Sequence, residues 1–206
     1  MSKVVVDISM SLDGFVTGPN AGPDQGLGEG GEPIHRWVMP EEPSPEDSAL
    51  LDAAFGATGA VVMGRRTFDV IDGAAGWKDD LGYGYEQDQS QAPPNFVVTH
   101  EPPANPRHQT GFTFVTEGVA AAVAAAREVA GDRETVIMGG GDVCAQALAL
   151  NLVDELRIHL SPVLLGSGTP LFAHIDQRVL LSQSTVTVTP NATHLTYQLP
   201  RDERGA

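Results

Sequence analysis

The chain has a single cysteine, Cys144, among 206 residues. An internal disulfide is therefore impossible, and a lone thiol fits a reducing cytoplasm, where we expect the protein to reside. Cations are scarce: 12 Lys and Arg against 27 Asp and Glu give a formal net charge of −15. A general nucleic-acid binder carries a basic face, and an anionic membrane surface repels so acidic a chain. Neither partner is expected. No apolar run approaches the ~18 residues that a membrane span needs. The run Val4-Val5-Val6, broken at once by Asp7, reads as a strand rather than a leader. H-E-x-x-H, C-x-x-C and G-x-S-x-G are also missing. His35, His100, His108, His159, His174 and His194 show no metal-ligand spacing, so no metal is expected. With no repeat and no linker, residues 1–206 read as one domain.

What is present is organised around Glu134–Val143. An apolar, β-branched run enters Gly139-Gly140-Gly141, and Val143, Ala147 and Leu150 then follow at helical spacing. That pattern is a buried strand, a tight turn and a helix start. Helix starts carry unpaired N–H groups and partial positive charge, and glycine lets an anion approach the backbone. The turn matches neither common nucleotide fingerprint. G-x-G-x-x-G needs glycine where Cys144 stands, and a Walker loop needs Gly-Lys-Ser/Thr. A plain strand-to-helix turn is the competing reading. Cys144, in the first helical turn, reads as a small packed residue.

Taken in order, Val4–Met10 is a near-continuous apolar strand, expected to be covered on both faces. Residues 19–45 form a long Gly-, Pro- and acid-rich loop with an apolar island at Ile34, Trp37, Val38 and Met39. A loop of that length is a functional lid or a disordered insertion. Ser44-Pro45 starts a helix whose buried face is Leu50, Leu51, Ala54 and Phe55. Ala60–Met63 is a strand, followed by a second helix start and a long loop over 73–94. Strands follow at 95–99 and 112–115, then a helix over 117–130 capped by Thr116. After the organising strand and its helix come a strand at 154–160, a Gly/Pro loop, and a hairpin pairing 179–189 with 193–199. This alternation predicts an α/β fold: a mostly parallel central sheet, helices on both faces and a C-terminal antiparallel hairpin. Arg157 and His159 alternate on one strand face, which puts them on a cleft wall or a dimer seam.

Arg65-Arg66 is an adjacent pair of cations at the carboxyl end of a strand, where open α/β sheets bind ligands. With Thr67 it suits phosphate groups, since cations at a helix start are disfavoured without an anion. The set Ser11–Phe15, Met63–Phe68, Val97–His100, Ile137–Gly141 and Asp154–Ile158 resembles the dihydrofolate reductase-like superfamily over nearly the whole chain. Within it, the chain most resembles the C-terminal reductase domain of the bifunctional riboflavin-biosynthesis deaminase–reductase. The resemblance implies NADPH. It places Gly64, Arg65, Arg66 and Thr67 on its phosphates, and Thr99 and His100 at the adenosine 2′-phosphate. It also sets Gly139, Gly140 and Gly141 at the pyrophosphate turn, with a cis peptide at Gly139–Gly140 and with Asp142 and Val143 opening the helix. Ser9 and the segment 13–16 flank the nicotinamide. Phe68 stands where dihydrofolate reductases tend to have tryptophan, and the loops 19–45 and 73–94 are longer. A phosphoribosyl substrate needs its own cation, for which Arg36, Lys78 and Arg157 are the candidates.

Two functions follow. One is an NADPH-dependent reductase transferring hydride to a C=N or C=O carbon of a small pteridine- or pyrimidine-like substrate. The other is a nucleotide-binding module without turnover. A carboxylate in the cleft favours the first, and a cleft closed by the 19–45 loop favours the second. For the acid that protonates the substrate, the resemblance points to Asp47, early in the helix after the mobile loop. Asp13 is its strongest rival, ahead of Glu46 and Asp52. A homodimer is expected from the resemblance and from a strand-rich C-terminus with an edge to cover.

Overall fold

The computed structural model describes residues 2–42, 44–78, 80–173, 175 and 178–199, so His174 lies outside the described residues. In chain order the elements are β1 (Val4–Ser11), β2 (Phe15–Thr17), a 3-10 turn at Glu32–His35, α1 (Pro45–Ala57), β3 (Thr58–Gly64) and α2 (Arg65–Asp72). Next come β4 (Asn95–Val98), β5 (Phe112–Val115), α3 (Val119–Ala130), β6 (Glu134–Gly139) and α4 (Gly141–Ala149). The chain ends through β7 (Glu155–Ser161), β8 (Thr169–Pro170), β9 (Ser182–Val188) and β10 (Thr193–Gln198).

An eight-stranded sheet runs in the order β5-β4-β3-β6-β1-β7-β10-β9. Every pairing from β5 to β7 is parallel, and β10 pairs antiparallel with both β7 and β9. The expected parallel sheet and terminal hairpin are therefore present. α3 and α4 cover one face through Ala122, Val123, Ala126 and Ala147, packed on Val4, Val6, Val62 and Ile137. α2 covers the other through Phe68 and Ile71, packed on Val61, Met63 and Val97. A two-stranded ribbon, β2 with β8, was not predicted. It is too short to show a hydrophobic period. No helix among the described residues is long and apolar enough to cross a membrane.

Three local expectations are corrected and one is refined. β1 is covered on both faces as expected, but only one of them is wholly apolar. Val4, Val6, Ile8 and Met10 enter the core beneath α3 and α4, while Asp7, Ser9 and Ser11 alternate onto the opposite face. α3 starts at Gly118, with φ of +91°, without a side-chain cap. Thr116 instead donates to its neighbour Glu117. The expected buried face of α1 is only half-buried, and its one fully enclosed residue is polar, Asp47. Ser44 does cap that helix, its Oγ accepting from the Asp47 N–H. The hairpin's first strand begins at Ser182 rather than 179. The 19–45 loop is neither loose nor detached: Ile34 is fully buried and Trp37 nearly so, and Ser161 Oγ donates to the Ile34 carbonyl at 2.8 Å. The apolar island thus pins the loop across the polar face of β1 and β7.

Candidate functional site

The carboxyl ends of β3, β4 and β6 open on one cleft of about 1640 Å³. A single small-molecule pocket holds roughly 300–1,000 Å³, so this cleft has room for two ligands side by side. Gly64, Arg65, Arg66, Thr67, Thr99, His100, Gly139, Gly140, Gly141, Asp142 and Val143 all line it, as does Ser9. The strand ends singled out in the sequence are thereby brought together.

The turn after β6 is shaped by its glycines. Gly139 has φ of +150°, and Gly139 and Gly140 are joined by a cis peptide. A Cβ on Gly140 would sit 3.3 Å from Thr67 Oγ1, closing the gap between the turn and α2. The first N–H groups of α4 begin there. The cradle thus exists because side chains are missing from it, and it suits the phosphates of a dinucleotide.

The two arginines are not equivalent. Arg65 Nε donates to Asp69 at 2.7 Å, and its Nη1 donates to the Glu101 carbonyl at 2.7 Å, which fixes the segment after β4. Arg66 is 88% exposed, with Asp142 at 3.6 Å across the mouth of the glycine turn. Thr99 turns its hydroxyl to the Glu101 carbonyl at 2.7 Å, and His100 is exposed on the rim.

At the other end, the floor of the cleft is polar. Asp7 and Ser9 on β1 and His159 on β7 line it beneath Trp37. Trp37 Nε1 donates to Ser9 Oγ at 2.8 Å, and its ring stacks on His159 with centroids 4.0 Å apart. Leu51, Ala54 and Phe55 from α1 and Tyr83 from the 73–94 loop make an apolar wall. That accounts for the half-buried face of α1: it faces the cleft instead of the sheet. Arg107 holds the 73–94 loop in place by donating to the carbonyls of Ile71, Asp72, Gly73 and Trp77.

Neither Asp47 nor Asp13 is among the lining residues. Asp13 accepts from Ser11 Oγ and from the N–H groups of Leu165 and Gly166. Those bonds, Ser11's first, hold its carboxyl down at about 2. It organises the turn after β1. Asp47 is 1% exposed, and accepts from Asn191 Nδ2 at 2.9 Å. Its Oδ1 lies 3.0 Å from His194 Nε2. His194 Nδ1 lies 2.7 Å from His159 Nδ1, and His159 Nε2 lies 2.7 Å from Asp7 Oδ1. Asp47 therefore reaches the cleft only through two histidines. Of the other acids considered, Asp52 is bonded to Gln87, and Glu46 accepts from Ser44 Oγ.

Asp7 and His194 were missed in the sequence. The signal for Asp7 was its alternation with Ser9 and Ser11 inside an otherwise apolar strand. Burial pushes Asp7 up, but His159 and Arg157 outweigh it and hold the carboxyl below its ordinary range. Burial and the neighbouring His159 push His194 down, against the pull of Asp47. His35, on the same wall, is pushed down to about 4 by burial and by His159. Of the pair Arg157 and His159, only His159 lines the cleft; Arg157 shares its sheet face but lies behind Asp7, outside the lining. It is committed to Glu134 and Glu155, at 2.7 and 2.6 Å, with Asp7 at 3.8 Å. Cys144 is fully buried, and burial raises its thiol to about 12, so it is a packing residue.

Comparison with known proteins agrees with this architecture. The profile of the family described as the RibD C-terminal domain matches residues 2–195. Protein YyaP of Bacillus subtilis (strain 168) is 23% identical over 183 residues, which cover 87% of this chain and 85% of that protein. A solved structure from Shewanella sp. PV-4, named for riboflavin biosynthesis, superposes with a TM-score of 0.68 at 24% identity, covering 98% of this chain and 100% of that one. The dihydrofolate reductase of Enterococcus faecalis, solved with NADP(H) and RAB-propyl, gives a TM-score of 0.57 at 16% identity, with 97% of each chain covered. At these identities the structural likenesses speak for the fold alone.

Proposed function

The chain belongs to the RibD C-terminal domain family, and from that membership we propose that it is an NADPH-dependent reductase acting on a small heterocycle. One observation carries the reading. A single cleft has a glycine cradle, a helix start and an exposed arginine at one end, and a carboxylate under a tryptophan at the other. Gly139–Gly141 and Thr67 would hold the pyrophosphate, and Arg66, with Thr99 and His100, the adenosine 2′-phosphate. When bound, the cofactor supplies hydride for a C=N or C=O carbon. The chain's own groups orient both ligands, exclude water beneath Trp37 and hold a proton at the cleft floor. The alternative, a binding module without turnover, is less well supported, because Asp7 lies on the floor and the 19–45 loop walls the cleft without sealing it.

The substrate end argues for a ligand without a phosphate. Arg157 is taken up by Glu134, Glu155 and Asp7. Arg36 faces a separate small pocket beside Pro190, and Lys78 is not among the lining residues. Substrate-dependent NADPH oxidation tests this directly. We expect unphosphorylated pteridines or pyrimidines to be reduced with kcat/KM at least ~10-fold above their phosphoribosyl counterparts, the scale of one mismatched polar contact. NADPH binding without oxidation by any of them would favour the module.

Cofactor preference is a separate test. We expect NADPH to bind more tightly than NADH. Arg66→Ala should weaken NADPH by ~10-fold or more, the scale of a lost charge-assisted contact, and leave NADH nearly unchanged. Equal affinities of the unmodified protein for both cofactors would reject the 2′-phosphate role.

We also propose a homodimer. β9 is an edge strand whose side chains are exposed along most of its length, with Val186 47% and Val188 72% exposed. Uncovered apolar edges invite pairing. Light scattering at micromolar concentration should give the mass of two chains, and Val186→Lys with Val188→Lys should give one. A monomer before substitution overturns the proposal.

A further inference from the structure

The chain Asp7–His159–His194–Asp47 joins β1, β7, β10 and α1 across the buried polar face of the sheet. Its contacts are Asp7 Oδ1 to His159 Nε2 at 2.7 Å, His159 Nδ1 to His194 Nδ1 at 2.7 Å, and His194 Nε2 to Asp47 Oδ1 at 3.0 Å. Each such contact needs one proton between its two heavy atoms. Two neutral histidines supply only one proton each. With both carboxylates ionised, the third must be an additional proton bound by the chain. Without it, a pair of lone pairs would face each other at hydrogen-bond distance inside the protein.

We infer that Asp7, His159, His194 and Asp47 form a hydrogen-bonded chain that stores one mobile proton and presents it on Asp7 at the floor of the cleft. The stored proton has a preferred seat. His159 is the member stacked on the face of Trp37, where an imidazolium gains from the ring's negative face. Shifting that proton one bond towards the cleft moves the N–H of His159 onto Asp7 Oδ1 and leaves His159 neutral. The remaining hydrogen bonds keep their protons. The two arrangements hold the same number of protons and differ only in which end carries the charge.

The surroundings limit the exchange to this line. Arg157 faces Asp7 from β7, itself balanced by Glu134 and Glu155. His35 on the 3-10 turn and Tyr83 on the 73–94 loop line the same cleft within electrostatic range of His159 and Asp7, the Tyr83 hydroxyl being bonded to Thr58, and Thr189 Oγ1 lies 3.4 Å from His194 Nε2. Asp47 is sealed, with Asn191 on its other oxygen. The proton therefore leaves and returns by way of Asp7. The groups lie end to end rather than around a centre, and no cluster of metal ligands occurs among the described residues.

Delivery rests on the reductase reading. Once hydride has reached the carbon of a substrate C=N, the O–H bond of Asp7 breaks as the N–H bond forms. The electron pair stays on the carboxylate, and the chain reloads from water after the product leaves. Asp7 would be the catalytic residue. His159, His194 and Asp47 are positioning residues behind it.

Asp47→Asn separates storage from structure. The introduced amide, turned so that its nitrogen faces His194, donates an N–H to that ring and accepts from Asn191 through its carbonyl. All hydrogen bonds survive, with the third proton now covalently fixed. The first measurement is imidazole nitrogen and proton NMR of histidine-labelled, cofactor-free protein at pH 7. We expect three ring N–H protons on His159 and His194 together, falling to two in Asp47→Asn at an unchanged melting temperature. Two in the unmodified protein, together with an Asp7 carboxyl carbon shift in the ionised range, overturns the stored proton. The second is turnover. Asp47→Asn should lower kcat ~10²-fold, the scale of a general acid, flatten its alkaline limb and leave NADPH affinity within about twofold. Unchanged kcat overturns delivery. Three ring protons in a protein that oxidises NADPH with no substrate would overturn the reductase reading and the delivery step, and support storage.

Discussion

Arg157→Leu is expected to lower folding stability by about 3–5 kcal/mol at pH 7, the range for removing one partner from a buried ion pair. The guanidinium is 21% exposed and bonds Glu134 and Glu155, with Asp7 beyond. Burial alone would lower its pKa, but Glu134, Asp7 and Glu155 raise it. When Arg157 is lost, Glu155 keeps Lys3 and Gln198 and Asp7 keeps His159, whereas Glu134 loses its bidentate partner. The deficit should depend on pH in a definite direction. Burial raises Asp7 and Glu155, but their partners hold both below the ordinary carboxylate range. Their contribution is complete above the unfolded pKa of about 4 and is lost as pH falls through the lower folded values. In the variant the carboxylates protonate at higher pH, so the deficit is largest near neutrality and shrinks towards pH 3. Urea denaturation from pH 3 to pH 8 measures this. An equal deficit at both ends would mean that the arginine stem matters through packing and not through charge.

Phe68→Ala should cost about 3–5 kcal/mol, the range for truncating a buried phenylalanine, and lower the melting temperature on the order of 10 °C. Phe68 is fully buried and meets Phe112 and Phe114 edge-on at 5.1 and 5.0 Å. α2 hangs on this contact, because Phe68 and Ile71 are its buried residues. Arg65, Arg66 and Thr67 ride on that helix, so the variant should also lose cofactor affinity. Phe68→Trp tests the same site from the other side. Phe68 is fully buried against two phenylalanines, so a larger ring overpacks the site and should cost about 1–3 kcal/mol. A fully stable tryptophan variant would show that the neighbouring loop yields.

Local patterns carried much of this protein. Strand, glycine and helix start follow one another at Gly64 and at Gly139–Gly141, and such turns are encoded within a few residues. The alternation of strands and helices then implies a parallel order, because parallel neighbours need a crossover. These features put the glycine-cradle end of the cleft within reach of the sequence alone. The cleft floor was different. Its hydrogen bonds join residues 152, 35 and 147 positions apart, brought together by β1, β7, β10 and α1. Nothing near Asp47 announces His194, and Asp7 looked like an interruption in an apolar strand. Only the pairing of β1 with β7 and of β7 with β10, which sets Ser9 opposite His159 and His159 opposite His194, put these side chains on one face. Register is a property of the assembled sheet, and a shift of one residue would have turned every one of them into the opposite core.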